Sequence, residues 1–242
     1  MLQGMKRHLL LFSTIFFLVT VANGQSVNEP ESSQFLHQWL DKLPDATYDT
    51  IAHHPHFKEA FLLQFEQPID HNDPDGPTFS QRVFLFHYDF SKPVVLVTEG
   101  YAARYAENPK FIYELSDYLD ANQIIVEHRF FGESVPDSIQ WEYLTVEQAA
   151  NDHHRVVELF KGLYRGKWLN TGISKGGQTA MYHRYFFPED VDVTVGYVCP
   201  LNFSIEDARV YSFMVHNGDS ICRNKVFNYL VHDKKLQYSD NQ

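Results

Sequence analysis

Gly172-Ile173-Ser174-Lys175-Gly176, extended by Gly177, is the part of this sequence whose spacing can do chemistry. A serine flanked by glycines two before and two after suits a sharp turn between a strand and a helix. Such a turn holds the serine at a strained backbone angle with its hydroxyl exposed, ready to act as a nucleophile. The N–H of Lys175 would then head the helix and face a developing oxyanion. The bare pattern arises by chance in roughly one chain in ten of this size, so its flanks must decide. Trp168-Leu169-Asn170-Thr171 before it reads as a short strand, and Gln178 to Phe187 after it reads as a helix stopped by Pro188. That is the context the turn requires. The Gly-x-x-x-x-Gly-Lys-Ser/Thr spacing of a phosphate loop is absent.

A second oxyanion donor should come from the loop after an earlier strand. Glu99-Gly100-Tyr101 follows the apolar run Val94-Val95-Leu96-Val97, so the N–H of Gly100 or of Tyr101 is the candidate. A structural turn glycine is the competing reading. Glu127-His128-Arg129 ends another apolar run, Ile124-Ile125-Val126. The C-terminal ends of strands are where open α/β sheets bind ligands, so Glu127 and Arg129 are candidate substrate contacts. The alternative is a buried ion pair that orients the loop. His128 precedes the serine, and in this fold the base follows it in chain order, so His128 is not the expected base. The sequence has 13 histidines, but no His-Glu-x-x-His spacing. His53-His54 and His153-His154 are adjacent pairs, which would diverge on a helix. No metal is expected. The turn-rich stretch from Asp70 to Pro77 fails the calcium-loop template, because position 12 from Asp70 is Gln81 rather than Glu; a hairpin turn is expected there.

These residues need a scaffold, and the patterning supplies one. Phe61 to Glu66 and Gln81 to Phe90 alternate as strands on either side of that turn. Phe111, Ile112, Leu115, Tyr118 and Leu119 recur at helical spacing. Thr145 is placed to cap a long helix running to Leu163, with Gln148 three residues on. Val191 to Val198 reads as a further strand, and Ser33 to Leu43 as a short amphipathic helix ended by Pro44. Strands and helices alternating in this way give a mostly parallel sheet with helices on both faces, and the two early strands form an antiparallel edge. After Pro200 the alternation stops, and a boundary is expected there.

The 242 residues are 44% hydrophobic and 15% aromatic, enough for a large core. A net charge of −11 argues against a nucleic-acid partner, which needs a basic face. Lys6, Arg7 and His8, an apolar run from Leu9 to Val19, and Ala22-Asn23-Gly24 read as a signal peptide over residues 1–24. The run is short for a membrane span, so an uncleaved anchor is the lesser alternative. A secreted or periplasmic soluble protein without a stable membrane anchor is expected. Cys199 and Cys222 could close one disulfide worth about 3 kcal/mol.

Taken together, Phe65-Glu66-Gln67-Pro68-Ile69-Asp70-His71, Thr78-Phe79-Ser80-Gln81-Arg82, Thr98-Glu99-Gly100, Glu127 to Ser134 and Leu144-Thr145-x-Glu147-Gln148-Ala149, in this order before the glycine–serine motif, form a familiar set. The set resembles the secreted bacterial tripeptidyl aminopeptidases. More distantly it is similar to the prolyl carboxypeptidase and dipeptidyl peptidase II group. The resemblance runs from about Phe61 to the chain's end. It implies an α/β-hydrolase fold, a Ser–Asp–His triad, a helical cap inserted after the sixth strand, and release of tripeptides or other short peptides from free N-termini, or cleavage after proline. No cofactor is implied. Only Ser174 matches the triad. The acid and base would lie beyond the cap, residues 201–242 would begin that cap, and 25–200 would be the N-terminal part of the core. The chain is therefore expected to be a fragment or truncated product. His183, His216 and His232 follow Ser174 but lack the expected sheet context. Glu99 is a candidate for the substrate's free ammonium group. The competing functions are an esterase or lipase on the same turn, disfavoured by the lack of a His-Gly-Gly oxyanion motif, and a non-catalytic binding module.

Overall fold

In a computed structural model the described residues are 29–204 and 207–239. The signal-peptide reading of residues 1–24 lies outside them. The chain falls into two units, residues 1–42 and 43–242. In the first, helix α1 spans Glu29–Leu40. It begins earlier than expected because Pro30 fits a first helical turn, where its missing N–H costs nothing. It closes with Asp41 N–H on the His37 carbonyl at 2.9 Å, ahead of Pro44.

The second unit is built on a seven-stranded sheet. Its strands are β1 (Ala46–Thr50), β2 (Glu59–Pro68), β3 (Thr78–His87), β4 (Val94–Thr98), β5 (Asn122–Val126), β6 (Trp168–Ile173) and β7 (Val193–Tyr197), in the spatial order β1-β2-β3-β5-β4-β6-β7. β5, β4, β6 and β7 run parallel, and β1, β2 and β3 form an antiparallel margin joined to β5. The expected two-strand margin has a third member, β1. Its sequence Ala-Thr-Tyr-Asp-Thr is too short and polar to announce itself, and it forms by pairing in register with Phe61 to Phe65 of β2.

The apolar runs become strands because both sheet faces are covered: every residue of β4 and β5 is buried. Val95 and Val97 face a core with Phe84, Phe86 and Ile125, on which Phe111, Ile112 and Leu115 pack. Alternation sends Leu96 and Thr98 to the other face. Burying each such aliphatic side chain contributes about 1.5–3 kcal/mol. Helix α2 spans only Glu114–Tyr118. Tyr113 is held extended, its N–H donating to Gln123 Oε1 at 2.9 Å, so the expected helix starts late although Phe111 and Ile112 still reach the core.

Helix α3, Val146–Lys161, starts as expected, with the Thr145 hydroxyl accepting from Gln148 N–H at 3.1 Å. The Gln148 side chain does not complete a reciprocal cap. It accepts from His71 N–H at 2.8 Å and donates to Asp70 Oδ1 at 2.6 Å, tying the β2–β3 turn to the helix. Helix α4 spans Lys175–Phe186 and packs on α3, β4, β6 and β7. After β7 come α5 (Ala208–His216) and α6 (Ser220–Ser239). Cys199 and Cys222 are free thiols and do not pair. No described helix is long and apolar enough to cross a membrane.

The chain passes from β4 outward to β5, then back across β4 to β6. With right-handed crossovers this reversal puts α2 on one face and α3 on the other. It also opens a crevice between the C-terminal ends of β4 and β6, the place where such sheets bind ligands.

Candidate active site

Ser174 sits at that crevice, between the last residue of β6 and the first of α4. Its φ of 55° and ψ of −119° lie in territory that side-chain-bearing residues avoid, at a cost of about 1–3 kcal/mol. The bend is over-determined by main chain. Ser174 N–H donates to the Tyr197 carbonyl at 2.9 Å, and its carbonyl accepts from Gln178 N–H at 3.1 Å. Thr98 Oγ1 donates to the Thr171 and Gly176 carbonyls at 3.2 and 3.0 Å, stitching β4 to the bend. A Cβ on Gly172 would lie 2.3 Å from the Gly176 carbonyl carbon, and one on Gly176 2.7 Å from the Thr98 oxygen. Both glycines are therefore demanded by backbone contact. Ser174 itself is exposed, as is Ile173.

Lys175 heads α4, so its N–H has no intrahelical acceptor. The loop after β4 lies against it: a Cβ on Gly100 would come within 2.6 Å of Lys175 Cβ. Tyr101 is 56% exposed. The N–H of Gly100 faces the carboxylate of Glu99, which also accepts from the Tyr105 hydroxyl. Burial raises the Glu99 pKa, and no Lys, Arg or His among the described residues forms an ion pair with it. Burial and the Glu99 charge together push the Tyr113 phenol up to about 12.

Glu127 and Arg129 are different. Both are fully buried, and neither has capacity left for a substrate. All five Arg129 N–H groups are spent: Nε and Nη2 on the two oxygens of Asp152 at 2.7 Å, Nη1 on the Ile69 and Tyr143 carbonyls at 2.9 Å, and Nη2 again on the Pro68 carbonyl at 3.1 Å. Glu127 Oε2 accepts from Ala103 N–H at 2.7 Å, while Oε1 accepts from Glu133 N–H, Ser134 N–H and Ser134 Oγ at 2.9–3.1 Å. This bonding fits the alternative reading of the two residues, buried groups that orient the loop, rather than substrate contacts. The partner of Arg129 is Asp152, not Glu127. Asp152 also binds His71 Nε2 at 2.7 Å. It lies on the buried stripe of α3 with Ala149, Val156 and Phe160, and a carboxylate on an apolar helix face is the sequence signal that a cation had to meet it.

His128 is nearly buried, its Nδ1 donating to the Arg129 carbonyl at 2.9 Å, and burial depresses its pKa to about 4. It borders an apolar cavity of about 200 Å³ that runs along α4 past Lys175, Gln178 and Tyr182. A larger cavity of about 570 Å³ lies at the opposite end of the sheet, beside Trp168 and Asp190. His183 belongs to that end. It is nine residues along α4 from Ser174, roughly 13 Å, and its Nε2 donates to Asp190 Oδ2 at 2.9 Å while Nδ1 accepts from Asn170 at 3.1 Å. His216 is exposed on α5 with Nδ1 on the Ser212 carbonyl. The side chain of His232 lies outside the described residues. Among the described residues, no imidazole is hydrogen-bonded to Ser174.

A mixed sheet with this strand order, covered on both faces and carrying a glycine-flanked serine at the strand–helix bend, is an α/β-hydrolase fold. Residues 42–236 match the peptidase S37 family of PS-10 peptidases, and the chain belongs to that family. It is 39% identical over 166 residues to a prolyl tri/tetrapeptidyl aminopeptidase from Streptomyces mobaraensis, covering 68% of this chain and 34% of that protein. It is 29% identical over 147 residues to a lysosomal Pro-X carboxypeptidase from Mus musculus, covering 54% and 30%. The chain thus spans about a third of the length of these relatives. Among solved structures, an acetyl xylan esterase from Paenibacillus sp. R4 aligns with a TM-score of 0.45 at 14% identity, over 79% of this chain and 64% of that one. The family match and the two peptidase relatives agree with the resemblance read from the motifs.

Proposed function

We propose that Ser174 is the nucleophile of a serine exopeptidase that releases short peptides, tripeptides in particular, from free N-termini. The observation that carries this reading is the exposed serine held at positive φ between β6 and α4, in a chain of a peptidase family. In the reaction the Ser174 hydroxyl attacks the scissile carbonyl carbon, its proton passes to a histidine base, and an acyl-enzyme forms as the amine leaves. The base is assigned to neither His183 nor His216, whose positions do not suit it. The Lys175 N–H and an amide of the Gly100–Tyr101 loop hold the oxyanion, each worth about 2.7–4 kcal/mol. Glu99 binds the substrate's ammonium group; a largely buried carboxylate without a cation supports that role. Relatives named for prolyl substrates favour proline near the cleaved bond. Residues 1–24 act as an export signal, giving a secreted or periplasmic enzyme that works on peptides.

Fluorophosphonate labelling tests the nucleophile. In a full-length protein that includes the histidine base, Ser174 should be modified and Ser174→Ala should not; an unlabelled full-length protein sinks the reading. Hydrolysis of an unblocked tripeptide anilide should exceed that of a blocked one and of a short acyl ester. Glu99→Gln should raise KM for free-amine peptides more than for blocked ones. Equal changes would remove Glu99 from the site.

A further inference from the structure

The side chain of Lys175 turns back from the first turn of α4 onto the loop after β4. Its Nζ donates to the Gly100 carbonyl at 2.7 Å. The same ammonium lies 4.6 Å from the Tyr101 ring centroid and 4.3 Å from that of Phe131, and the two rings meet edge to face at 5.2 Å. A carbonyl and two aromatic faces together stabilise a half-buried cation. No carboxylate pairs with it among the described residues. The far side of the loop is pinned as well, because His128 N–H donates to the Tyr101 carbonyl at 3.2 Å.

The Gly100 carbonyl and the Tyr101 N–H belong to one peptide unit. No peptide bond in the described residues is cis, so the two groups point in opposite directions. Drawing the carbonyl to Lys175 Nζ turns the Tyr101 N–H the other way. The neighbouring Gly100 N–H faces the Glu99 carboxylate. We propose that the Lys175 side chain is a positioning residue that sets the plane of the Gly100–Tyr101 peptide and makes the Tyr101 N–H the second oxyanion donor. This rests on the Ser174 reading and narrows it. One residue then serves the site twice, by its own amide and by orienting a second amide 74 positions earlier in the chain.

The test compares the full-length protein with its variants Lys175→Met, which keeps length and aromatic contact but loses donor and charge, and Lys175→Arg, which keeps both. Two readouts are needed: the rate at which a fluorophosphonate labels Ser174, and hydrogen exchange at the His128 amide, which reports on the loop through its bond to Tyr101. For Lys175→Met, labelling should slow roughly tenfold to a hundredfold, short of the 10²–10³ expected for outright loss of a donor. Exchange at His128 should quicken at least tenfold. Lys175→Arg should recover most of both. Unchanged exchange in Lys175→Met overturns the clamp. Faster exchange with unchanged labelling overturns its role at the oxyanion. A full-length protein, base included, that is never labelled removes the Ser174 reading instead, and exchange at His128 then decides separately whether Lys175 holds the loop.

Discussion

Every N–H of Arg129 is spoken for: the five meet a buried carboxylate and three carbonyls, and the neighbouring Glu127 accepts four hydrogen bonds. Around Ser174 the hydroxyl is exposed, the Lys175 N–H heads a helix without an acceptor, and strain is stored in the backbone. Both regions lie at the C-terminal ends of parallel strands. Position in the fold therefore does not mark a residue as functional. Unspent bonding capacity facing solvent does, whereas a fully satisfied buried charge network serves to hold loops in place.

The sharpest way to break this contrast is Arg129→Met. It leaves the buried Asp152 carboxylate with His71 alone and should cost about 3–5 kcal/mol in urea unfolding. A loss below 1 kcal/mol would mean the network is not structural. The next effect concerns three buried histidines, His87, His128 and His153, whose pKa values burial depresses to about 4, 4 and 3 from an ordinary 6.5. Between those values and 6.5 the unfolded chain binds protons that the folded one refuses. Stability is therefore complete above about pH 6.5 and is lost as pH falls toward and through 4. The urea midpoint should drop steadily over that window, and His153→Met should flatten the slope by about one proton, roughly 1.4 kcal/mol per pH unit. An unchanged slope would show that His153 charges in the folded state. The smallest effect falls at the bend. Ser174→Gly should stabilise the chain by about 1 kcal/mol by relieving the positive φ, while abolishing fluorophosphonate labelling. Destabilisation on the scale of Arg129→Met would erase the distinction between the two regions.

What the sequence revealed follows the same division. The buried runs of β4 and β5, the Thr145 cap and the glycine spacing around Ser174 were readable because each depends on neighbours a few residues away. The bonding of Arg129 was not. Its partner Asp152 is 23 residues on and its carbonyl acceptors Pro68 and Ile69 are about 60 residues back, so a buried ion pair is legible only as an alternative to substrate contact, and its partner not at all. The sequence places Gln148 beside its own helix cap, whereas its side chain serves a hairpin turn 77 positions earlier. β1 was missed because its pairing with β2, rather than its own composition, makes it a strand.

One margin of the sheet has a practical consequence. Among the described residues β7 is outermost, pairing only with β6, and Val193 is 49% exposed there. Its free side offers a row of unpaired main-chain donors and acceptors to any extended segment that meets it. Val193→Lys on that margin should discourage strand addition there, whether by a later segment of a longer protein or by a second copy.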